Sequence, residues 1–225
     1  RRQRQMCIRD RNNSMIEVQN VTLQIKGKMI LSDVDLTMEE GRIYGLVGNN
    51  GSGKTMLMKC ICGFVLPTKG TVLSNGKKIG KDMDYLQDAG VIIENPGFIS
   101  YYSGLKNLKL LAGLTGKKDT AHLRSVMELC GLDPGLRLPV RKYSLGMRQR
   151  LGIAQAIMED QNCLILDEPM NGLDKRGVED VRKLLLQLKE QGKLILIASH
   201  NKADIDILCD EVYEMESGVL HKIYG

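Results

Sequence analysis

One stretch of the chain decides the fold: Gly48-Asn49-Asn50-Gly51-Ser52-Gly53-Lys54-Thr55. It matches the pattern G-x-x-x-x-G-K-[ST], it follows an apolar run at 43–47, and residues 56–62 after it are expected to open a helix. In that context backbone N–H groups turn inward around a phosphate, and the positive end of the helix dipole adds to the attraction. Lys54 would then reach the β- and γ-phosphates of a nucleotide, and the Thr55 hydroxyl would hold Mg²⁺. A chance match in a glycine-rich turn is the alternative, and the flanking strand and helix argue against it.

Two carboxylates follow a second apolar run. Residues 163–166 lead directly into Asp167 and Glu168, and the carboxyl ends of strands are where open α/β sheets bind ligands. Asp167 would complete the Mg²⁺ shell, directly or through water, and Glu168 would orient and polarise the attacking water. An acidic turn after a strand is common by itself. Paired with the phosphate loop 112 residues earlier, it indicates phosphoryl transfer.

His200 and Asp174 are two further candidate site residues. His200 comes two residues after the apolar run 194–198, where it would contact the γ-phosphate or hold Glu168 and the water in place. A lone histidine is more often structural or solvated. Asp174, just past the carboxylates, is typical of a helix N-cap, and that role is compatible with a functional one.

Length and composition limit the possible functions. With 225 residues and 43% hydrophobic residues, the chain is large enough for one domain with an inserted subdomain. Residues 1–14 hold five Arg and one Asp, a balance of +4 out of the total of +5, so the remaining chain is close to +1. This charge, together with 4% aromatic residues and no Trp, argues against a nucleic-acid partner.

The cysteines and the chain start indicate a cytoplasmic location. The six Cys form no C-x-x-C pair and no zinc spacing, which predicts buried, reduced thiols. The apolar runs are shorter than the roughly 18–20 residues that span a membrane, and no signal peptide is visible. Residues 1–14 have no apolar period, and a basic tail, a targeting leader or a non-native extension are all open. Strand-like alternation begins at Met15.

The order of the predicted elements indicates an α/β fold. Strands are predicted at 15–25, 29–38, 91–93, 163–166 and 194–198, with hairpins around Asn75-Gly76 and Ser217-Gly218. Helical periods dominate about 95–159, with Ser103 and Thr120 as candidate N-caps and a third helix starting near Ser144. Apolar strands separated by helices predict a parallel sheet covered on both faces, preceded by antiparallel strands and interrupted by a helical subdomain.

A further motif carries a family resemblance over residues 15–225. Residues 143–151, Tyr-Ser-Leu-Gly-Met-Arg-Gln-Arg-Leu, are similar to the signature LSGGQ-x-QR of ABC transporter ATP-binding subunits, and Ser144 lies 23 residues before Asp167, as it does in that family. The resemblance implies a P-loop NTPase fold with a RecA-like core. It also implies Mg²⁺-dependent ATP hydrolysis coupled to transport.

The same resemblance implies partners. Two ATP-binding subunits, identical or different, would pair head to tail. Ser144 and Gly146 of one would then bind the γ-phosphate held by the loop of the other. The turn 172–174 would link the two sites, and the helical subdomain would grip a short cytoplasmic helix of an integral membrane permease. The chain would thus lie at the cytoplasmic face of a bacterial plasma membrane.

Three positions depart from the family pattern. Leu145 and Met147 replace the first Gly and the Gln of the signature, so we expect an altered but working contact. Glu94 stands where the family has a Mg²⁺-contacting Gln, which resembles the exporters that protect bacteria against lantibiotics and other peptide antibiotics. A carboxylate there would bind Mg²⁺ more strongly and would repel the γ-phosphate without the metal. Ile25 falls near the position of the adenine-stacking aromatic and offers no π face.

Export of peptide antibiotics, bacitracin-like peptides or other hydrophobic toxic compounds is therefore the first hypothesis. A second is an ATPase of the same family that acts as an ATP-gated clamp or regulator outside transport. A third, a metal-dependent nucleic-acid enzyme, is disfavoured by the near-neutral charge and the few aromatic residues. The sequence of this chain does not identify the transported substrate.

Overall fold

The computed structural model describes residues 15–94, 97–116 and 119–225, so residues 1–14, interpreted above as a basic tail, a leader or a non-native extension, lie outside the described residues. The strands are β1 (Met15–Ile25), β2 (Lys28–Glu39), β3 (Ile43–Val47), β4 (Lys69–Ser74), β5 (Lys77–Lys78), β6 (Ala89–Ile92), β7 (Cys163–Asp167), β8 (Leu194–Ala198), β9 (Glu211–Glu216) and β10 (Val219–Tyr224). The helices are α1 (Lys54–Cys62), α2 (Gly104–Leu114), α3 (Thr120–Leu129), α4 (Leu145–Ile157), α5 (Lys175–Glu190) and α6 (Lys202–Leu208), with a 3₁₀ turn at Val140–Lys142.

The first sheet is antiparallel, in the order β2-β1-β4-β5. β1 alternates between partly buried and buried positions over residues 15–18; the register shifts after Val18, and Asn20 there takes a positive φ of 48°. The predicted hairpin between β4 and β5 is confirmed. Asn75 and Gly76 have φ values of 51° and 74°, the conformation that a tight hairpin turn requires.

The second sheet carries the predicted site. Its order is β10-β9-β3-β8-β7-β6, and all neighbours are parallel except the edge hairpin β9-β10. Every residue of β8 is buried, as expected for a strand covered on both faces. Ala198 at the end of β8 is paired with both Leu46 of β3 and Asp167 of β7. The phosphate loop, the two carboxylates and His200 therefore leave the sheet at the same edge.

The two faces of this sheet contact different cores. Alternating residues of β8 divide between them: Ile195 and Ile197 pack with α2 to α5, whereas Leu194 and Leu196 pack with β1, β2 and α1. The expected buried thiols are confirmed for the described residues: Cys60, Cys62, Cys130 and Cys163 are buried, and Cys209 is partly buried. Burial raises the pKa of Cys60 to about 11 and that of Cys62 to about 12, so both thiols stay protonated near neutral pH.

The helical segment confirms one predicted cap, corrects another and confirms the helix start predicted near Ser144. Ser103 caps α2, and Ser144 caps α4 by accepting the N–H of Met147. The prediction that Thr120 caps α3 was wrong by one residue. Asp119 Oδ1 accepts the N–H groups of Ala121 and His122 at 2.9 and 3.2 Å, and its negative charge also suits a helix N-terminus.

The short helix α6 was not predicted. Among the described residues, none of the helices is both long and apolar enough to cross a membrane.

Candidate functional site

The loop at residues 48–53 wraps around the N-terminus of α1. Gly48 has a φ of 139°, and a Cβ there would lie 2.3 Å from the backbone oxygen of Met215, so the loop can pass β9 only with glycine. Gly53, at the N-cap, has a φ of 118° and no side chain with which to cap α1. The first N–H groups of the helix are therefore available to an anion.

Two polar groups inside the loop are suited to phosphate. Lys54 is buried, at 8% exposure, and its Nζ donates to the backbone oxygens of Gly48 at 2.6 Å and Asn49 at 3.0 Å. Ser52 Oγ is buried without a hydrogen-bond partner, and among the described residues no other buried side-chain N or O atom is in that state. Because a buried hydroxyl without a partner is costly, an oxygen-rich ligand in the loop would relieve that cost.

The expected pairing between the loop and the second strand is present. Thr55 Oγ1 donates to Asp167 Oδ2 at 2.8 Å, although the two residues are 112 positions apart. A hydroxyl oxygen and a carboxylate side by side are oxygen ligands of the kind that Mg²⁺ uses together with nucleotide phosphates. The residues present thus fit both the nucleotide and the metal.

Glu168 is held in an uncommon conformation and contacts His200. Its φ is 49°, and its N–H donates to Ala198 O at 2.9 Å, which ties the turn to β8. Strained residues of this kind are concentrated at functional sites. His200 Nδ1 lies 2.9 Å from Glu168 Oε2. Since a carboxylate only accepts, Nδ1 carries the hydrogen, and a neutral ring then presents an acceptor at Nε2. Of the two roles predicted for His200, this geometry favours holding Glu168.

A buried network behind His200 was missed by sequence reasoning. Arg182 on α5 donates to Asp204 Oδ1 from Nε at 2.9 Å and from Nη2 at 2.5 Å, and Asp204 is only 2% exposed. Ser199 Oγ donates to Asp204 Oδ2 at 3.4 Å and accepts the N–H of Asn201 at 3.1 Å. The residues on both sides of His200 are thus held by an ion pair between two helices, which no local sequence pattern indicates.

Glu94 borders the same region and has a cationic partner. Its φ is 61°, and its Oε1 accepts from Lys59 Nζ at 2.6 Å. Lys59 was not predicted to take part. It lies four residues after Thr55, on the same face of α1, and that spacing is the feature that would have identified it.

The signature residues divide between a contact with the carboxylate turn, made by Gln149, and a cap of their own helix, made by Ser144. The Ser144 hydroxyl accepts the N–H of Met147 at 3.1 Å, and Ser144 is exposed. A Cβ on Gly146 would lie 2.9 Å from the backbone oxygen of Gly172, so the signature packs closely on the turn after the carboxylates. Gln149 reinforces this contact, because its Nε2 donates to the backbone oxygen of Glu168 at 3.2 Å and to the backbone oxygen of Pro169 at 3.0 Å. Asp174 caps α5 by accepting the N–H of Gly177 at 2.8 Å, as expected.

A cavity of about 440 Å³ collects most of the predicted site residues. It is lined by Ile30, Asn50, Gly51, Gly53, Lys54, Thr55, Met56, Glu94, Leu145, Gln149, Asp167, Glu168 and Asn171. This volume lies in the range of about 300–1,000 Å³ typical of small-molecule sites. The predicted site residues that do not line it are Gly48, Asn49, Ser52, Ser144, Gly146, Asp174 and His200. Ile25 lies at the end of β1, 40% exposed, and it is Ile30 that borders the cavity.

The family model that matches this chain and its relatives among known proteins share one family description. The family model described as ABC transporter matches residues 31–171. An ABC transporter ATP-binding protein of Bacillus subtilis, YybJ, is 43% identical over 92% of this chain and 94% of its own length. The bacitracin transport ATP-binding protein BcrA of Enterococcus faecalis is 40% identical over 92% of this chain and 68% of its own length. The lantibiotic transport ATP-binding protein SrtF of Streptococcus pyogenes is 33% identical over 93% of this chain and 91% of its own length.

Solved structures share the fold. The ATP-binding subunit of an ABC transporter superposes with a TM-score of 0.83 at 24% identity, covering 93% of this chain and 90% of that one. The bacterial cassette MJ0796, described as dimeric, superposes with a TM-score of 0.81 at 21% identity, covering 93% and 99%.

Proposed function

The chain belongs to the ATP-binding proteins of ABC transporters and is an ATPase, and we propose that it powers an exporter of peptide antibiotics as one of two ATP-binding subunits on a membrane permease. The observation that carries this proposal is the convergence of Ser52, Lys54, Thr55, Asp167 and Glu168 at one edge of the parallel sheet. Their roles follow from their contacts and charges.

Residues of the loop hold the phosphates. The N–H groups of the loop and the Lys54 ammonium supply hydrogen-bond donors at the cavity, and the Ser52 hydroxyl is a further donor that lacks a partner inside the loop. Thr55 and Asp167 would hold Mg²⁺, with Glu94 as a third oxygen ligand at the rim of the cavity. A bound metal would supply positive charge to offset that of the phosphates.

Glu168 receives the proton of the attacking water, and His200 keeps its carboxylate in place. The contact at 2.9 Å between His200 Nδ1 and Glu168 Oε2 supports this division of roles. The backbone bonds of the Glu168 turn, to Ala198 and from Gln149, keep it at the end of β7.

A second subunit completes the site. Ser144 and Gly146 lie at the N-terminus of α4, which has thirteen residues, outside the cavity of their own chain. A helix N-terminus attracts phosphate, so these residues contact the γ-phosphate bound by a partner. The relation to the dimeric cassette MJ0796 supports this arrangement.

A second cavity, of about 660 Å³, supports binding to a permease. It lies between the parallel sheet and the helical segment, and its lining includes Phe64, Tyr85, Leu111 and Thr115. Phe64 and Tyr85 are each 59% exposed. A groove with both apolar and polar lining suits a short amphipathic helix, here from a permease at the cytoplasmic face of the membrane.

The substrate class rests on the relatives named for bacitracin and lantibiotic transport and on Glu94 in place of the usual Gln. To test it, Glu168→Gln is introduced into the chromosomal gene of the native host. We expect higher susceptibility to bacitracin or to a lantibiotic and unchanged susceptibility to chloramphenicol. Unchanged susceptibility to both peptides would overturn the substrate class. Recovery of the tagged chain with ribosomes, rather than with a membrane protein, would overturn the transport role.

A further inference from the structure

Lys59 and Glu94 form an ion pair at the rim of the nucleotide cavity, and no motif accounts for it. Lys59 Nζ donates to Glu94 Oε1 at 2.6 Å from the last turn of α1. The Lys59 side chain is 25% exposed and that of Glu94 is 64% exposed. Thr55, which contacts Asp167, lies one helical turn before Lys59 on the same face of α1. The pair therefore adjoins the proposed metal ligands.

The pair offsets one of several negative charges around the nucleotide cavity. Glu94, Asp167 and Glu168 all border one cavity, and bound ATP would add several more negative charges. Where the family has a neutral Gln, this chain has a carboxylate that repels the γ-phosphate whenever Mg²⁺ is not between them. Lys59 is the cation that the structure brings into direct contact with this carboxylate.

We propose that Lys59 is a positioning residue which holds the Glu94 carboxylate and offsets its charge, so that the cavity can accept ATP before the metal is bound. A Mg²⁺ ion bound afterwards would offer the carboxylate a second cation, and Lys59 would then compete with the metal for it. The proposal rests on the role given above to Glu94.

A purely structural role for Lys59 makes different predictions. A cation in the last turn of a helix interacts favourably with the helix dipole whether or not Glu94 is charged. An ion pair as exposed as this one also contributes little to folding stability. Removing the Lys59 charge is thus expected to leave the fold intact, and its effect on nucleotide binding should depend on the residue at position 94.

The experiment measures binding of a fluorescent ATP analogue to the purified full chain, in EDTA and across a Mg²⁺ titration. The variants are Lys59→Gln, Glu94→Gln, their combination, and Lys59→Arg as the conservative control. In EDTA, Lys59→Gln is expected to weaken binding roughly five- to ten-fold, because the Glu94 carboxylate at the cavity is then neither held nor offset and repels the phosphates. The same change in the Glu94→Gln background is expected to cost clearly less, because only the direct attraction of Lys59 for the phosphates is then lost, and Lys59→Arg should bind as the parent does. With saturating Mg²⁺ the loss should shrink.

Two other outcomes of the binding experiment would contradict the role proposed for Lys59. An equal loss in both backgrounds would show that Lys59 acts through the helix end and not through Glu94. An unchanged affinity of Lys59→Gln in EDTA would show that the pair does not control nucleotide entry. Lys59→Met, which keeps the aliphatic stem, replaces Lys59→Gln if thermal melting shows that the latter is unfolded. Failure of the parent chain to bind ATP at all would overturn the proposed function instead, so the two failures are distinguishable.

Discussion

The two halves of the proposed ATP site differ in how far one chain completes them. In the first half, formed by residues 48–55 with Asp167, Glu168 and His200, side chains from three neighbouring strand ends contact one another. In the second half, formed by Ser144 and Gly146, the only polar side chain caps its own helix and lies outside the cavity. The fold therefore assembles the first half, whereas in the proposed function a second subunit gives the other half its ligand.

The largest effect is expected from the first half. Glu168→Gln keeps the shape of the side chain and removes the carboxylate that would accept the proton. We expect ATP hydrolysis to fall by about 10²–10⁴, the range for loss of a general base. Phosphate release measures the rate, and light scattering after size exclusion with Mg²⁺-ATP should show accumulating dimers.

Glu190→Gln, at the exposed end of α5, is the matched control and should hydrolyse ATP as the parent does. If Glu168→Gln also keeps the parent rate, Glu168 is not the catalytic carboxylate. If hydrolysis is lost but no dimer forms, the assignment of the first half stands and the completion of the site by a second subunit does not.

The contrast also explains which parts of the site could be predicted from the sequence. Lys54, Thr55, Asp167 and Glu168 belong to short motifs whose neighbours along the chain set their geometry, and the structure brings them to one cavity. The apolar runs predicted the buried strands for the same local reason.

The unpredicted contacts join distant parts of the chain. Lys59 contacts Glu94 across 35 residues, and Arg182 contacts Asp204 across 22, so no local pattern indicates either pairing. The spacing from Thr55 places Lys59 on the face of α1 near the site, but it does not identify Glu94 as the partner. The shift of the α3 cap from Thr120 to Asp119 has a different cause. Both residue types cap helices, and only the geometry shows which one accepts the free N–H groups.

An intermediate effect is expected from the second half. Ser144→Asp preserves the N-cap, because Asp caps as well as Ser, and its charge suits the N-terminus of α4. The isolated subunit should therefore melt no lower than the parent. In a dimer the same carboxylate would oppose the γ-phosphate of the partner site, so ATP hydrolysis should fall by about ten-fold or more, equivalent to at least 1.4 kcal/mol.

Ser144→Asn isolates the charge, since Asn also caps the helix but is neutral. It should keep most of the ATPase activity and still dimerise with ATP in the Glu168→Gln background, whereas Ser144→Asp should not. Equal behaviour of the Asp and Asn variants would mean that no phosphate approaches Ser144, and the second half would then have to lie elsewhere.

The smallest effect is expected from the support beneath the first half. Asp204→Asn keeps the volume of the side chain but weakens its bonds with Arg182 and Ser199, which fix the chain on either side of His200. We expect kcat to fall by about three-fold, near 0.7 kcal/mol, with little change in KM for ATP, because His200 contacts Glu168 and not the loop.

Asp206→Asn, exposed on the same helix, is the control for a general loss of helix stability. Thermal melting is measured in parallel, since weakening a buried ion pair also lowers the melting temperature. If kcat stays at the parent value while the melting temperature drops, the network only stabilises the fold, and His200 is positioned by Glu168 alone.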